Sequence, residues 1–181
     1  MPIEIPKDKW TGKVRAITLG ATAAEGGTRA KVITVGGETT LPYLQFENPT
    51  PNTPVVAVEI KSRKPTDWSH LLEQTWGDAM NDPAAWAKAA EAAGAGMLVL
   101  WLTLEDTPDD AVKATKAVLA ASGLPLAVFG PGQAEKDNEL LVAVAEATKG
   151  ERLLLGICED KNYRTIVATA LANGHLVSAR T

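Results

Sequence analysis

Apolar residues alternate between two patterns over most of this chain. From residue 55 onward, five short runs are almost continuously apolar, as in parallel strands that are covered on their faces; they span 55–60, 97–103, 124–130, 152–158 and 175–180. Between the later runs, apolar residues recur at intervals of three and four, which predicts amphipathic helices within 109–123, 137–150 and 162–174. Residues 55–181 are therefore predicted to form a βα repeat.

Glycine and proline mark where the predicted helices begin and end. Asp82-Pro83 is typical of a helix start, with an N-cap followed by proline at the first helical position. A glycine lies shortly before each later strand, where a left-handed helix C-cap is expected; these are Gly94, Gly123, Gly150 and Gly174. Each helix is thus expected to stop just before the next strand.

The first 54 residues have a different pattern. Alternating segments at 13–19 and 29–35 predict two strands, and the Gly-containing connection at 24–27 indicates a β-hairpin. Four prolines make residues 36–54 a mostly irregular crossing segment. We therefore divide the chain into 1–54, a hairpin with its crossing segment, and 55–181, a partial (β/α) barrel.

Two α/β architectures suit this repeat. One is a TIM-barrel-like half-barrel of about four and a half βα units, and the other is a five-stranded open doubly wound sheet. No Gly-rich phosphate turn opens the first unit, as a dinucleotide-binding fold would require, and the hairpin could plug the bottom of a barrel. The half-barrel is therefore favoured. The insertion at 61–81 is either a lid or partner surface, or a short extra helix whose tryptophans cover the sheet.

Composition and charge narrow the function classes. A hydrophobic fraction of 45% and a charged fraction of 22% are ordinary for a globular domain. The net charge of -4 leaves no basic footprint, so neither nucleic acid nor a membrane is expected as a partner. A single cysteine, Cys158, cannot supply the thiolates of an iron–sulfur cluster. We expect it to be a small buried residue of the core, and a lone cysteine indicates a reducing, cytoplasmic location.

Polar residues follow the predicted strands, at the edge where βα folds bind ligands. Thr103, Glu159 and Asn162 are the candidates for binding a cofactor, although Asn162 could instead cap the next helix. No catalytic residue is assigned. No metal ligands are expected either, because His70 and His175 lack a third partner in the sequence.

Several segments, taken together and in order, resemble one known family. They are 36–47 (GGETTLPYLQFE), 82–87 (DPAAWA), 135–139 (EKDNE), 150–156 (GERLLLG) and 162–165 (NYRT), with Asp67-Trp68 and Gly77-Asp78 between them. This set is similar to the small subunit of the corrinoid iron–sulfur protein, which is the delta subunit of the acetyl-CoA decarbonylase/synthase complex. The chain would correspond to the N-terminal portion of such a subunit.

The resemblance implies a (β/α)₈ barrel related to pterin-binding methyltransferases. It also implies a heterodimer with a larger subunit that carries the iron–sulfur cluster and a corrinoid (cobalamin) domain. The expected role is that of a non-catalytic subunit: it helps hold the corrinoid and docks the methyltransferase and acetyl-CoA synthase during methyl transfer from methyltetrahydrofolate.

Two other hypotheses remain open. The chain could be a pterin-binding methyltransferase-like enzyme that uses Asn162 and neighbouring carboxylates. It could also be a truncated half-barrel interaction module that self-associates through exposed strand edges, since unpaired edges readily pair with another chain.

Overall fold

The computed structural model of the chain describes residues 12–39 and 50–180. These residues divide into two compact units. One contains residues 12–18, 33–39 and 50–55, and the other contains residues 19–32 and 56–180.

The predicted N-terminal strands form a two-stranded antiparallel sheet, but both are shorter than expected. Strand β1 (Ile17–Leu19) pairs with β2 (Ile33–Val35), and the hydroxyl oxygens of Thr18 and Thr34 lie 3.0 Å apart. The connection is not a tight turn at 24–27, because residues 20–32 form a longer loop that contains a short 3₁₀ helix, Ala23–Glu25. Within the predicted crossing segment at 36–54, residues 40–49 lie outside the described residues.

The second unit contains the predicted βα repeat. Its strands are β3 (Ala57–Lys61), β4 (Met97–Trp101), β5 (Leu126–Phe129), β6 (Leu154–Cys158) and β7 (Leu176–Ala179). Its helices are α1 (His70–Trp76), α2 (Pro83–Ala92), α3 (Pro108–Ala121), α4 (Ala134–Ala147) and α5 (Tyr163–Asn173), with a 3₁₀ turn at Gly77–Asn81. The five strands and the intervening helices are confirmed, with boundaries shifted by a few residues.

The strands lie side by side in chain order, from β3 to β7, and every pair is parallel. Because βαβ crossovers are right-handed, an order without reversal places the crossover helices on one face, and consecutive helices from α2 to α5 pack together. This winding is the one expected for the half-barrel, whereas a doubly wound sheet reverses its strand order at a switch point. Among the described residues, β3 and β7 each pair with a single strand.

The core lies between the sheet and these helices. Trp86 of α2 is fully buried. Its ring centroid lies 5.2 Å from that of Trp68, in an edge-on arrangement, and 6.2 Å from that of Trp76. The insertion at 61–81 thus contains a short extra helix, and Trp76 at its end and Trp68 before it pack against Trp86 of α2. Its other face is open, because Leu71 on α1 is 70% exposed.

The predicted helix ends are confirmed at Asp82, Gly94 and Gly174, whereas Gly150 has a left-handed backbone but lies two residues beyond Thr148, the C-cap of α4. The Asp82 carboxylate accepts hydrogen bonds from the backbone N–H groups of Ala84 and Ala85, at 3.2 and 3.3 Å, as an N-cap does. Gly123, however, does not have the left-handed conformation of a C-cap. A Cβ on Gly123 would lie only 2.5 Å from the Cβ of Ala30, so this glycine permits the close approach of another segment.

No helix in the described ranges is both long enough and apolar enough to cross a membrane.

Candidate functional site

The loops that follow β5, β6 and β7 come together at the carboxyl edge of the sheet. Glu159 follows β6 and Arg180 follows β7, and the Arg180 guanidinium donates from both Nε and Nη2 to Oε1 of Glu159. These side chains line a cavity of about 740 Å³, which extends to Gln133 and Glu135 at the start of α4 and to Lys161. The edge therefore presents an open, polar cavity with charges of both signs.

Asn162 is buried beside this cavity, and both the oxygen and the nitrogen of its amide are hydrogen-bonded within the protein. Its Oδ1 accepts from the backbone N–H of Glu159 at 2.7 Å. Its Nδ2 donates to the carbonyl oxygen of Ile157 at 3.1 Å and to Oδ2 of Asp137 at 3.2 Å. Asn162 occupies the N-cap position of α5, but its side chain accepts nothing from that helix. It holds the backbone of Glu159 in place.

Asp137 on α4 belongs to the same cluster, although sequence reasoning did not select it as a site residue. It is 3% exposed, and its Oδ1 accepts from the backbone N–H of Gly132 at 2.9 Å. Burial raises the pKa of this carboxyl group, and the charge of Glu159 adds to that effect, while hydrogen bonds from the backbone of Gly132 and Gln133 and from Asn162 act in the opposite direction. The sequence signal was the glycine turn 130–132 directly after a strand, since Gly130 leaves the space that the carboxylate fills.

A second, smaller cavity of about 90 Å³ lies at the same edge. It shares Gly132, Glu159 and Arg180 with the larger one, and Trp101 and Asp137 also line it. The two cavities therefore adjoin around the Glu159–Arg180 ion pair.

Thr103 lies at this edge after β4, but it lines neither cavity. Its backbone N–H donates at 2.7 Å to Oδ2 of Asp106, a buried carboxylate that also accepts from Ser62 and Arg63. Its hydroxyl oxygen is buried and has no hydrogen-bond partner among the described residues. The structure therefore brings two of the three candidate residues together and leaves the third separate.

Cys158 and His175 are both buried, and neither lines the two cavities at this edge. Cys158 is 1% exposed in the core, and burial raises the pKa of its thiol, with a further contribution from the charge of Asp137. His175 lies at the amino end of β7, where its Nε2 is 2.9 Å from the carbonyl oxygen of Ala145. In the part of the chain that the structure describes, no group of three His, Cys, Asp or Glu side chains is arranged to hold a metal ion.

The chain matches a model of one protein family over almost its whole length. The family is described as the CO dehydrogenase/acetyl-CoA synthase delta subunit, and the match covers residues 16–181.

Curated relatives agree with this match. The chain is 36% identical to the acetyl-CoA decarbonylase/synthase complex subunit delta of Archaeoglobus fulgidus, over 94% of this chain and 39% of that protein. It is 33% identical to the subunit of the same name from Methanopyrus kandleri, over 92% of this chain and 43% of that protein. It is also 33% identical to the subunit from Methanocaldococcus jannaschii, over 97% of this chain and 45% of that protein. The chain thus spans about two-fifths of the length of these relatives.

Proposed function

This chain belongs to the CO dehydrogenase/acetyl-CoA synthase delta subunit family, and on that basis we propose that it helps hold a corrinoid and docks partners during methyl transfer. In this role it resembles the small subunit of a corrinoid iron–sulfur protein. The methyl group would pass from methyltetrahydrofolate to acetyl-CoA synthase. The observation that carries the proposal is the open polar cavity at the carboxyl edge of the sheet, bounded by Glu159 and Arg180.

The residues at this edge suit a corrinoid. Its rim carries amide side chains, which need both donors and acceptors, and the Arg180 guanidinium and Glu159 carboxylate offer both. The hydroxyl of Thr103 lies at the same edge without a hydrogen-bond partner among the described residues, but it is buried and lines neither cavity. When bound, the corrinoid would supply the cobalt chemistry of methyl transfer.

The three candidate residues would contribute differently. Glu159 would contact the corrinoid directly, because it lines the cavity and its side chain is 44% exposed. Asn162 would act as a positioning residue, because its amide holds the backbone of Glu159. Thr103 would contact the rim only after the edge around it opens, because its hydroxyl oxygen is buried and lines neither cavity.

The proposed partners are a larger corrinoid iron–sulfur subunit, forming a heterodimer, together with the methyltransferase and acetyl-CoA synthase. The iron–sulfur cluster would reside on the larger subunit, which is in keeping with the one cysteine of this chain. The same proposal places the protein in the cytoplasm.

Co-purification with the larger corrinoid subunit tests this proposal. We expect a complex that retains visible corrinoid absorbance on gel filtration, with less corrinoid retained by Glu159→Gln and Thr103→Val. Glu146→Gln is the matched control, because Glu146 is an exposed residue of α4 outside both cavities. A chain that forms no complex and retains no corrinoid would contradict the proposal.

A pterin-binding, methyltransferase-like enzyme is the second candidate function. It is supported by the contact between Asn162 and Asp137, which places an amide and a carboxylate together beside the cavity. Titration with methyltetrahydrofolate distinguishes the two candidates, since an absence of binding at millimolar concentration removes the second.

Self-association through the strand edges is a third candidate, supported by the single neighbours of β3 and β7 among the described residues. Light scattering at increasing protein concentration tests it, and a chain that stays monomeric counts against it.

A further inference from the structure

The small cavity at the carboxyl edge has walls of distinct chemistry. Trp101 and Ile157 provide apolar surface, while Asp137, Glu159 and Arg180 provide charge. Its volume of about 90 Å³ has room for a chemical group of a few heavy atoms. The cavity therefore suits one functional group of a larger ligand rather than a whole molecule.

Asp137 gives this cavity an unusual hydrogen-bond acceptor. Its two oxygens can accept four hydrogen bonds in all, and three donors face them, the backbone N–H groups of Gly132 and Gln133 and the Nδ2 of Asn162, which leaves one position open. No Lys or Arg among the described residues forms an ion pair with it. A buried carboxylate without a cation is unfavourable unless its oxygens are hydrogen-bonded, so a ligand N–H group would improve its environment.

The glycine turn after β5 makes room for the Asp137 carboxylate. A Cβ on Gly130 would collide with Oδ1 of Asp137, so the glycine is what permits the approach. A smaller or neutral side chain at 137 would bridge the loops with less desolvation. The glycine turn thus fixes the Asp137 carboxyl group at the wall of the small cavity.

Arg180 supplies the opposite polarity in the same cavity. Its guanidinium has five N–H donors, and two of them, on Nε and Nη2, are used by Glu159, which leaves three. A ligand group that satisfies both walls must therefore carry a donor and an acceptor side by side. A carboxylate would be repelled by Asp137 and Glu159, and an ammonium group would face Arg180.

We propose that this cavity binds a primary carboxamide, whose N–H group donates to Asp137 and whose carbonyl oxygen accepts from Arg180. Two sources share this chemistry: a carboxamide on the rim of a corrinoid, and the side chain of Asn or Gln on a partner protein. The corrinoid source rests on the proposed function, and the carboxamide assignment itself rests on the cavity.

Amide chemical shifts of the ¹⁵N-labelled chain test the assignment. The probes are propionamide and 2-butanone, which has the same shape and keeps the carbonyl group but has a methyl group in place of NH₂. We expect propionamide to cause saturable shifts at the backbone N–H groups of Gly132 and Glu159, which hydrogen-bond to Asp137 and Asn162. Butanone should bind at least about tenfold more weakly, because it leaves the open acceptor of Asp137 unsatisfied.

Two arginine variants make the test specific. Arg180→Met should weaken propionamide binding by about tenfold, and its side chain is 70% exposed, so the fold should tolerate the change. Arg164→Met on the exposed face of α5 is the matched control and should bind propionamide like the parent chain. Equal binding of propionamide and butanone, no saturable shift, or an unchanged affinity in Arg180→Met would each overturn the inference.

A second pair of probes identifies the source of the carboxamide. Dicyanocobinamide carries primary carboxamides, whereas the heptamethyl ester of dicyanocobyrinic acid carries none. Tighter binding of cobinamide, lost in Arg180→Met, supports the corrinoid source. Binding of propionamide without binding of cobinamide supports the cavity assignment with a partner side chain as its source, and contradicts corrinoid holding by this chain. Equal binding of both corrinoids overturns the carboxamide assignment while corrinoid holding stands.

Discussion

Replacing the buried Arg29 by methionine is expected to destabilise the second unit more than other arginine substitutions would. Arg29 is 3% exposed, and its Nε donates to Oε2 of Glu151 at 3.2 Å. The rest of its guanidinium donates to three backbone carbonyl oxygens around the end of α3, those of Leu119, Ser122 and Leu124. One side chain therefore ties residues 19–32 to the amino end of the sheet.

The expected magnitude follows from what the substitution leaves behind. Burial lowers the pKa of Arg29 and the charge of Glu151 raises it, and a guanidinium stays protonated in either case. Removing one partner of a buried ion pair costs about 3–5 kcal/mol, because the other charge stays buried without compensation. Methionine keeps part of the apolar packing but leaves the three carbonyl oxygens without this donor. We therefore expect Arg29→Met to lower the free energy of unfolding by about 4 kcal/mol.

Urea denaturation followed by circular dichroism measures this loss. The dependence of the free energy of unfolding on urea concentration should be the same in the variant and the parent chain. Arg164→Met on the exposed face of α5 is the control and should change the free energy of unfolding by less than about 0.5 kcal/mol. The double variant Arg29→Met with Glu151→Met should lose less than the sum of the single variants, because no lone charge remains. A loss below about 1 kcal/mol in Arg29→Met, or strict additivity in the double variant, would refute the reasoning.

Three further predictions concern stability and can be measured by the same urea titration. Burial lowers the pKa of His175 from its ordinary value of 6.5, so the unfolded chain binds a proton more readily. The free energy of unfolding should therefore fall as the pH drops below about 6.5, and His175→Gln should remove this dependence while the exposed His70→Gln keeps it. Asp82→Ala should cost about 1 kcal/mol through loss of the α2 N-cap, whereas Asp78→Ala should cost much less; equal losses would contradict the capping role. Trp86→Leu should cost about 3 kcal/mol, because the ring is fully buried against two other tryptophans, and a loss below about 1 kcal/mol would contradict that packing.

The sheet and the helices were predictable because their signals are local. Apolar runs and three-to-four spacing lie within a dozen residues of sequence, and the Asp82-Pro83 cap depends only on its own first turn. Gly123 shows the limit of such reasoning. Its position before a strand predicted a C-cap, but the structure uses it for close approach to Ala30, a residue more than ninety positions earlier.

The candidate site was only partly predictable. The sequence indicated that polar residues after the strands would share one edge, and Glu159 and Asn162 do lie together there. The glycine turn 130–132 was the signal for a residue at position 137, but it did not indicate that Asp137 would be buried against Asn162, 25 positions away. Nor did the sequence indicate that both the oxygen and the nitrogen of the Asn162 amide would be hydrogen-bonded within the protein.

By itself, the sequence determined the repeat of strands and helices, the sites of several caps and the family resemblance. The tertiary structure alone decided the unreversed strand order, the burial of Arg29 against Glu151 and the enclosure of Asp137 beside Arg180. The physical reason is the range of the interactions. Helix and strand patterns reflect burial of neighbouring residues on one face, whereas charge burial and cavity walls depend on partners that only folding brings together.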